Sequence, residues 1–216
     1  MQCSKCRNEA VIFQRYSGQH LCSAHFVLDF EARAKRVIRQ NQWMRPGDRI
    51  AVLQDGSAGS AALLWLFLAL THQRKDLEVS AFHCSGTAAD ARIAARDTGF
   101  TRLACATALG EQAALVLTDI LNGRADRIWE EQDILPVITP FAHIPQDEIA
   151  LYARIRGIPG GRPAASFTSD PLFADVLALL ADYGNRHPAA PYALLNLAGM
   201  IKTTCHTGRE GPGPDQ

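Results

Sequence analysis

Cys3 and Cys6 form a Cys-x2-Cys pair, and fifteen residues later Cys22 and His25 form a Cys-x2-His pair. Two short ligand pairs separated by a loop of this size can close a tetrahedral zinc site. Between them lie Val11, Ile12, Phe13 and Tyr16, then Ser17-Gly18 as a turn, then His20-Leu21 leading into Cys22. That order reads as a hairpin with one ligand pair at its base and the other at its exit. The rival readings are chance spacing, or cysteines joined as disulfides. His20 competes with His25 as a ligand but breaks the x2 pairing, and it reads as a surface histidine.

These ligands open a chain of 216 residues, long enough for one ordinary domain and a small appendage. Hydrophobic residues make up 47%, which supplies a substantial core, and the formal charge is zero. The balance points to neither nucleic acid nor membrane, so any RNA contact must come from a local patch. Six cysteines, three of them in the metal pattern with His25, suit a reducing compartment, and a cytosolic protein is expected. The metal pattern begins too early for a signal peptide ahead of it. The most apolar stretch, residues 61–70, is too short to span a bilayer.

The elements that must position this chemistry alternate along the chain. Residues 27–43 have helical spacing with a basic face of Arg33, Lys35, Arg36 and Arg39, which reads equally as a solvated face or as an RNA contact. Arg45-Pro46-Gly47 breaks that helix. Residues 49–53 fit a buried parallel strand, Asp55 to Ser60 a small-residue turn, and residues 61–71 an apolar helix. Strand, glycine-containing turn and helix in this order offer backbone N–H groups and a positive dipole end to an anion. Further strands are expected at 77–83, 102–106 and 134–138, with helices at 88–98, 110–122 and 145–156. This alternation predicts an α/β fold, an open, mostly parallel sheet with helices on both faces. Two helices follow within 171–204, split at His187-Pro188, and the tail is rich in Gly and Pro. The expected division is a finger at 1–26, a basic helix and linker at 27–47, an α/β domain at 48–160, a helical segment at 161–206 and a disordered tail at 207–216.

Finger, basic helix and strand-turn-helix in this order resemble the tRNA 2-thiouridine synthetases, the TtuA-like branch of the PP-loop ATP pyrophosphatases. The likeness is carried by Cys3-Ser-Lys-Cys6, Arg15-Tyr16-Ser17-Gly18 and Leu21-Cys22-Ser-Ala-His25-Phe26. It continues through residues 103–126, through 136–157 with Ile144-Pro145 and Glu148-Ile149-Ala150-Leu151-Tyr152-Ala153, and through 173–195 with His187-Pro188 and Tyr192. The resemblance implies a PP-loop sheet of the adenine nucleotide alpha hydrolase type and an ATP-dependent tRNA sulfurtransferase. In such enzymes ATP adenylates the uridine carbonyl and sulfur replaces the activated oxygen.

Against that pattern the catalytic positions are altered. The family's Ser-Gly-Gly-Lys-Asp-Ser loop falls on Asp55, Gly56, Ser57, Ala58, Gly59 and Ser60, so lysine and acid are gone and a carboxylate stands in place of a hydroxyl. Its second segment, Gly-His-Asn-Leu-Asp-Asp-Glu-Ala, falls on Ala106 to Ala113, where Gly110 replaces one acid and Glu111 the other. The long segment carrying a Cys-x2-Cys pair for an iron–sulfur cluster has no counterpart between Cys84 and Leu103, and the later cluster cysteine has none near 165–168. The C-terminal zinc finger is also missing, with Cys205 and His206 as its remnant or as ordinary tail residues. The expected cofactors are therefore zinc, with ATP and magnesium held weakly or not at all, and no iron–sulfur cluster. Cys84 and Cys105 end adjacent strands and read either as small buried apolar residues or as a replacement nucleophile. The expected function is a degenerate relative that binds tRNA or an intact thiolation enzyme, with self-association as a further option and no membrane. The alternative is an active enzyme of the sulfurtransferase type, or one with altered chemistry on Cys84 or Cys105.

Overall fold

The computed structural model describes residues 1–128, 135–159, 161 and 170–207, with side chains given to residue 127, from 135 to 159, at 161 and from 170 to 201. The expectations for residues 165–168, for the tail from 208 and for the side chains of Cys205 and His206 lie outside the described residues.

The chain divides into two compact units, residues 1–109 with 133–169 and residues 110–132 with 170–216. The first unit begins with the hairpin of β1 (Ile12–Gln14) and β2 (Gln19–Leu21), paired antiparallel with Ile12 opposite Leu21. Gly18 supplies the left-handed residue that closes its turn, at φ 67°. Helix α1 (Ser23–Gln40) follows, burying Phe26, Val27, Phe30, Ala34 and Ile38 at the i, i+4 spacing of one face.

The sheet then assembles from β3 (Arg49–Leu53), β4 (Glu78–Phe82), β5 (Arg102–Ala104) and β6 (Val137–Ile138), all parallel, in the order β4-β3-β5-β6. Helices α2 (Ala58–Thr71) and α3 (Ala88–Asp97) return the chain between the first three strands, and α5 (Gln146–Ile155) follows the last. The near-continuous apolar run of β3, buried from Ile50 to Leu53, is what a strand covered on both faces requires. Ile50, Val52, Ala104 and Ile138 face a core shared with α1, α2, α5 and the hairpin's Leu21. Ala51, Leu53, Leu103 and Cys105 face a second core with Ala91 and Ala95 of α3.

From β3 the chain moves outward to β4, whereas from β5 it moves the opposite way to β6. The carboxyl ends of β3 and β5 are therefore a topological switch point, the place where open α/β sheets bind ligands. Helix α2 begins there three residues earlier than its apolar pattern suggests. Ser57 caps it by accepting from the N–H of Ser60 at 3.1 Å, so Gly59 and Ser60 form its first turn.

The second unit holds α4 (Leu109–Leu121) beyond its first residue, a 3-10 turn (Ala125–Ile128), α6 (Pro171–Arg186) and α7 (Ala190–Thr207). Its core joins Ala113 and Ala114 to Phe173, Val176 and Leu180. Asp170 caps α6 and is held by Arg124 at 2.7 Å. No helix among the described residues is long and apolar enough to cross a membrane.

Candidate functional site

The two Cys pairs converge. Cys3, Cys6, Cys22 and His25 bring their ligand atoms within 4.8 Å of one another. Cys6 Sγ lies 3.7 Å from Cys22 Sγ, and His25 Nδ1 lies 3.5 Å from Cys3 Sγ and 3.4 Å from Cys22 Sγ. A tetrahedral zinc with Zn–S near 2.3 Å and Zn–N near 2.05 Å has S···S edges of about 3.8 Å and S···N edges of about 3.5 Å. The donor set thus has the size of one four-coordinate ion, with Nδ1 as the imidazole ligand.

The local sequence explains the convergence. The N–H of Cys3 donates to the carbonyl of Asn8 at 2.9 Å, folding the first pair into a tight turn. The hairpin delivers Cys22, which is also the residue that caps α1, and His25 follows on the same face three residues later. Cys22 therefore sits at the positive end of α1, a favourable place for an anionic sulfur. Burial pushes the Cys3 thiol up, but the backbone N–H groups of Cys22 and Lys5, together with His25, outweigh it and bring the thiol to about 6. The backbone of Asn8 lowers Cys6, yet burial and the sulfurs of Cys22 and Cys3 raise it on balance. His20 turns away from the ligands and stacks on Phe13 with centroids 4.5 Å apart.

The finger is tied to the sheet by a buried polar network. Glu148 of α5, 2% exposed, accepts from Tyr16 Oη at 2.8 Å, from Gln14 Nε2 at 3.4 Å and from Arg33 of α1. Arg33 also donates to Asp29 at 2.9 Å, and Gln14 Nε2 reaches the same carboxylate at 3.1 Å. Burial holds Glu148 above the usual carboxylate range against the pull of Arg33 and Tyr16. Of the two readings open for the basic face, solvation or RNA contact, Arg33 fits neither: its guanidinium donates to Glu148 and Asp29. Lys35 pairs with Glu31 at 3.0 Å, and Arg36 and Arg39 project from the exposed face. Sequence reasoning missed the network because its partners lie 115 to 134 residues apart and no local pattern marks them.

At the switch point, Asp55 Oδ1 accepts from the N–H of Ser57 at 2.8 Å. The carboxylate thereby uses one of the backbone donors that the turn would offer to a phosphate. Gly56 stands at φ 82°, and a Cβ on Gly161 would fall 1.8 Å from the Gly56 carbonyl oxygen, so that backbone passes directly against the turn. Ala58, Gly59 and Ser60 lie in the first turn of α2, and Glu111 lies in the first turn of α4, in the second unit.

Cys105 faces the core under α3. Burial and the nearby Asp55 push its thiol up to about 12, and of the two readings given for Cys105 this placement favours the small buried apolar residue over the nucleophile. Cys84 is half-buried, with its Sγ 3.7 Å from the Ser85 carbonyl. Iodoacetamide at pH 7 is expected to label Cys84 in the metal-loaded protein and to reach Cys105 only after denaturation. Peptide mass spectrometry reads the order, and early labelling of Cys105 would contradict it.

Comparison with known proteins agrees with this geometry. Residues 2–27 match the family described as 2-thiouridine synthetase TtuA, N-terminal LIM domain. The tRNA 2-thiolation protein NcsA of Haloferax volcanii is 46% identical over 48 residues, 22% of this chain and 15% of that protein. The tRNA-5-methyluridine(54) 2-sulfurtransferase of Thermus thermophilus is 23% identical over 73% of this chain and 67% of its own length. Cytoplasmic tRNA 2-thiolation protein 1 of Drosophila willistoni is 38% identical over 28% of this chain and 18% of its own. The matched segments thus span from 15% to 67% of these curated relatives. Among solved structures, the U34-tRNA thiolase NcsA from Methanococcus maripaludis with its [4Fe-4S] cluster superposes at a TM-score of 0.76, at 14% identity, over 94% of this chain and 88% of that one.

That structure overturns one expectation. The missing cysteine pair suggested a chain with no place for an iron–sulfur cluster, yet a protein of the same fold holds one. Such clusters are held by cysteine thiolates. Outside the finger, the cysteines available to one among the described side chains are Cys84 and Cys105. The parallel sheet with its switch point, the ligand cluster at Cys3, Cys6, Cys22 and His25, and these matches together make the chain similar to the TtuA/NcsA-type tRNA 2-thiolation proteins, with a LIM-like segment at residues 2–27 whose four ligand side chains could hold a metal ion.

Proposed function

We propose that this chain is a zinc-holding, tRNA-binding member of the thiolation family that does not itself complete ATP-dependent thiolation. The observation that carries the reading is at the switch point. The Asp55 carboxylate sits on the N–H of Ser57, and Ala58 stands where the family's lysine would. A unit negative charge about 4 Å from a phosphate charge costs about 4 kcal/mol at an effective dielectric near 20. A lost charge-assisted hydrogen bond removes about 1.5–3 kcal/mol more. Such a loop lacks the positive charge that would steady a transferring phosphoryl group. Zinc at Cys3, Cys6, Cys22 and His25 is supported by the edge lengths of the donor set. Its role there is to hold the finger, since four protein ligands leave no open position for substrate. A cytosolic location is supported by the naming of the Drosophila relative.

The test is a thiolation assay with tRNA, ATP, magnesium and a sulfide donor, run after anaerobic iron–sulfur reconstitution so that cluster loss is not mistaken for incapacity. The expected result is retained tRNA binding with no thionucleoside product. Repeated turnover by the wild-type protein overturns the proposal. The triple variant Asp55→Ser, Ala58→Lys, Gly59→Asp restores the family's loop chemistry. A Cβ at Gly59 meets its neighbours at 3.5 Å or more, so the third change begins without a clash.

A further inference from the structure

We propose that a groove at the opposite end of the first unit from the switch point binds the phosphate backbone of tRNA. The groove is about 640 Å³ and lies between the C-terminal end of α1, the turn at 42–46 and the residues after α2. Lys35, Arg39, Arg45 and Arg74 ring it. Ile38, Met44, Pro46 and Leu70 give it an apolar floor. Cations around an apolar floor match a chain of phosphates with sugars and bases between them.

The charges are not all spent within the protein. Lys35 is matched by Glu31 and Arg74 by Asp76. Arg39 and Arg45 have no ion-pair partner among the described residues. Arg36, on the next turn of α1, extends the same sign along an adjoining hollow that it shares with Lys35 and Arg39. With overall charge at zero, this concentration of unmatched cations is local, which is the condition the composition set for RNA contact.

The backbone also holds one of these cations in place. Gln42 is the single non-glycine residue with positive φ among the described residues, at 50°. Glycine or asparagine is the usual occupant just past a helix end. Glutamine there offers what glycine lacks: its Oε1 accepts from Arg45 Nη2 at 3.2 Å.

The location is informative. Helix α2 has 14 residues, starts at the switch point and ends at the groove. At a rise of about 1.5 Å per residue the two sites are about 21 Å apart. The groove would therefore grip tRNA away from any nucleotide presented to the sheet edge, anchoring the substrate without entering the reaction.

This inference rests on the tRNA-binding reading of the preceding section, and the experiment separates the two. Fluorescently end-labelled total tRNA is titrated with metal-loaded protein by anisotropy between 50 and 200 mM salt. The Arg39→Glu/Arg45→Glu variant is expected to bind about tenfold or more weakly, with a salt slope shallower by about two. Arg96→Glu, an exposed reversal on α3, is expected to bind as wild type. Absence of wild-type binding at 50 mM salt removes both the general reading and the groove. Wild-type binding with an unchanged Arg39/Arg45 variant, or an equal loss in Arg96→Glu, removes the groove alone. Displacement of tRNA by poly-glutamate of matched charge as effectively as by unlabelled tRNA would also overturn it, by showing an unselective anion patch. Unchanged circular dichroism and metal content confirm that the variant is folded.

Discussion

Chelating the finger's metal is expected to destabilise the whole first unit, not the finger alone. The ligands belong to the same buried cluster that holds the sheet: Cys3 is 6% exposed and Cys22 is 3% exposed, packed with Leu21, Phe26 and Phe30. Structural zinc in small folds supplies folding free energy outright, about 10–16 kcal/mol in isolated finger peptides. Within a larger core the loss is limited by the stability of the state left behind. A cost of about 4 kcal/mol would lower the thermal midpoint of a unit this size by about 8–16 °C. Cys22→Ser should cost at least as much, because Cys22 is both a proposed ligand and the residue that caps α1. Calorimetry with and without chelator, with elemental analysis of the same sample, reads the result. Unfolding confined to the hairpin, with the midpoint of the remainder unmoved, would refute it.

The second large effect is expected at Glu148. Replacing it with alanine leaves Arg33 buried without its main partner and strands Tyr16 and Gln14. Breaking a buried ion pair from one side costs about 3–5 kcal/mol. Removing both charges together, as in Arg33→Met with Glu148→Leu, is expected to recover most of that loss, because desolvation of the pair is relieved as well. Urea unfolding of metal-loaded protein measures both. If Glu148→Ala costs less than about 1 kcal/mol, the network is solvent-screened and does not bind the hairpin to α5.

Much of this molecule was legible in its sequence, for reasons that differ by element. The ligand cluster was readable because its spacing is local and its chemistry restricted to a few residue types. Strand β3 was readable because a strand covered on both faces leaves an unbroken apolar run. The start of α2 was misplaced, since the deciding interaction is the Ser57 cap and small residues carry no hydrophobic period. Arg33 looked like its basic neighbours because helical spacing alone does not reveal an acid arriving on α5 from 115 residues away. The groove escaped notice for the same reason: Arg45 reads as a helix breaker's neighbour, and Arg74 joins it only once α2 has folded back. The altered switch-point turn was visible by comparison with the family pattern, but the bond from Ser57 to Asp55 needed coordinates.

Helix α1 joins two of these features by simple mechanics. It starts on a metal ligand and carries Arg39 in its last turn, 18 residues and about 27 Å of continuous hydrogen-bonded rod. Fraying at the sulfur end removes the scaffold that orients the guanidinium at the other, so metal starvation or thiol oxidation in the cell would loosen the proposed hold on nucleic acid without touching a single residue of the groove.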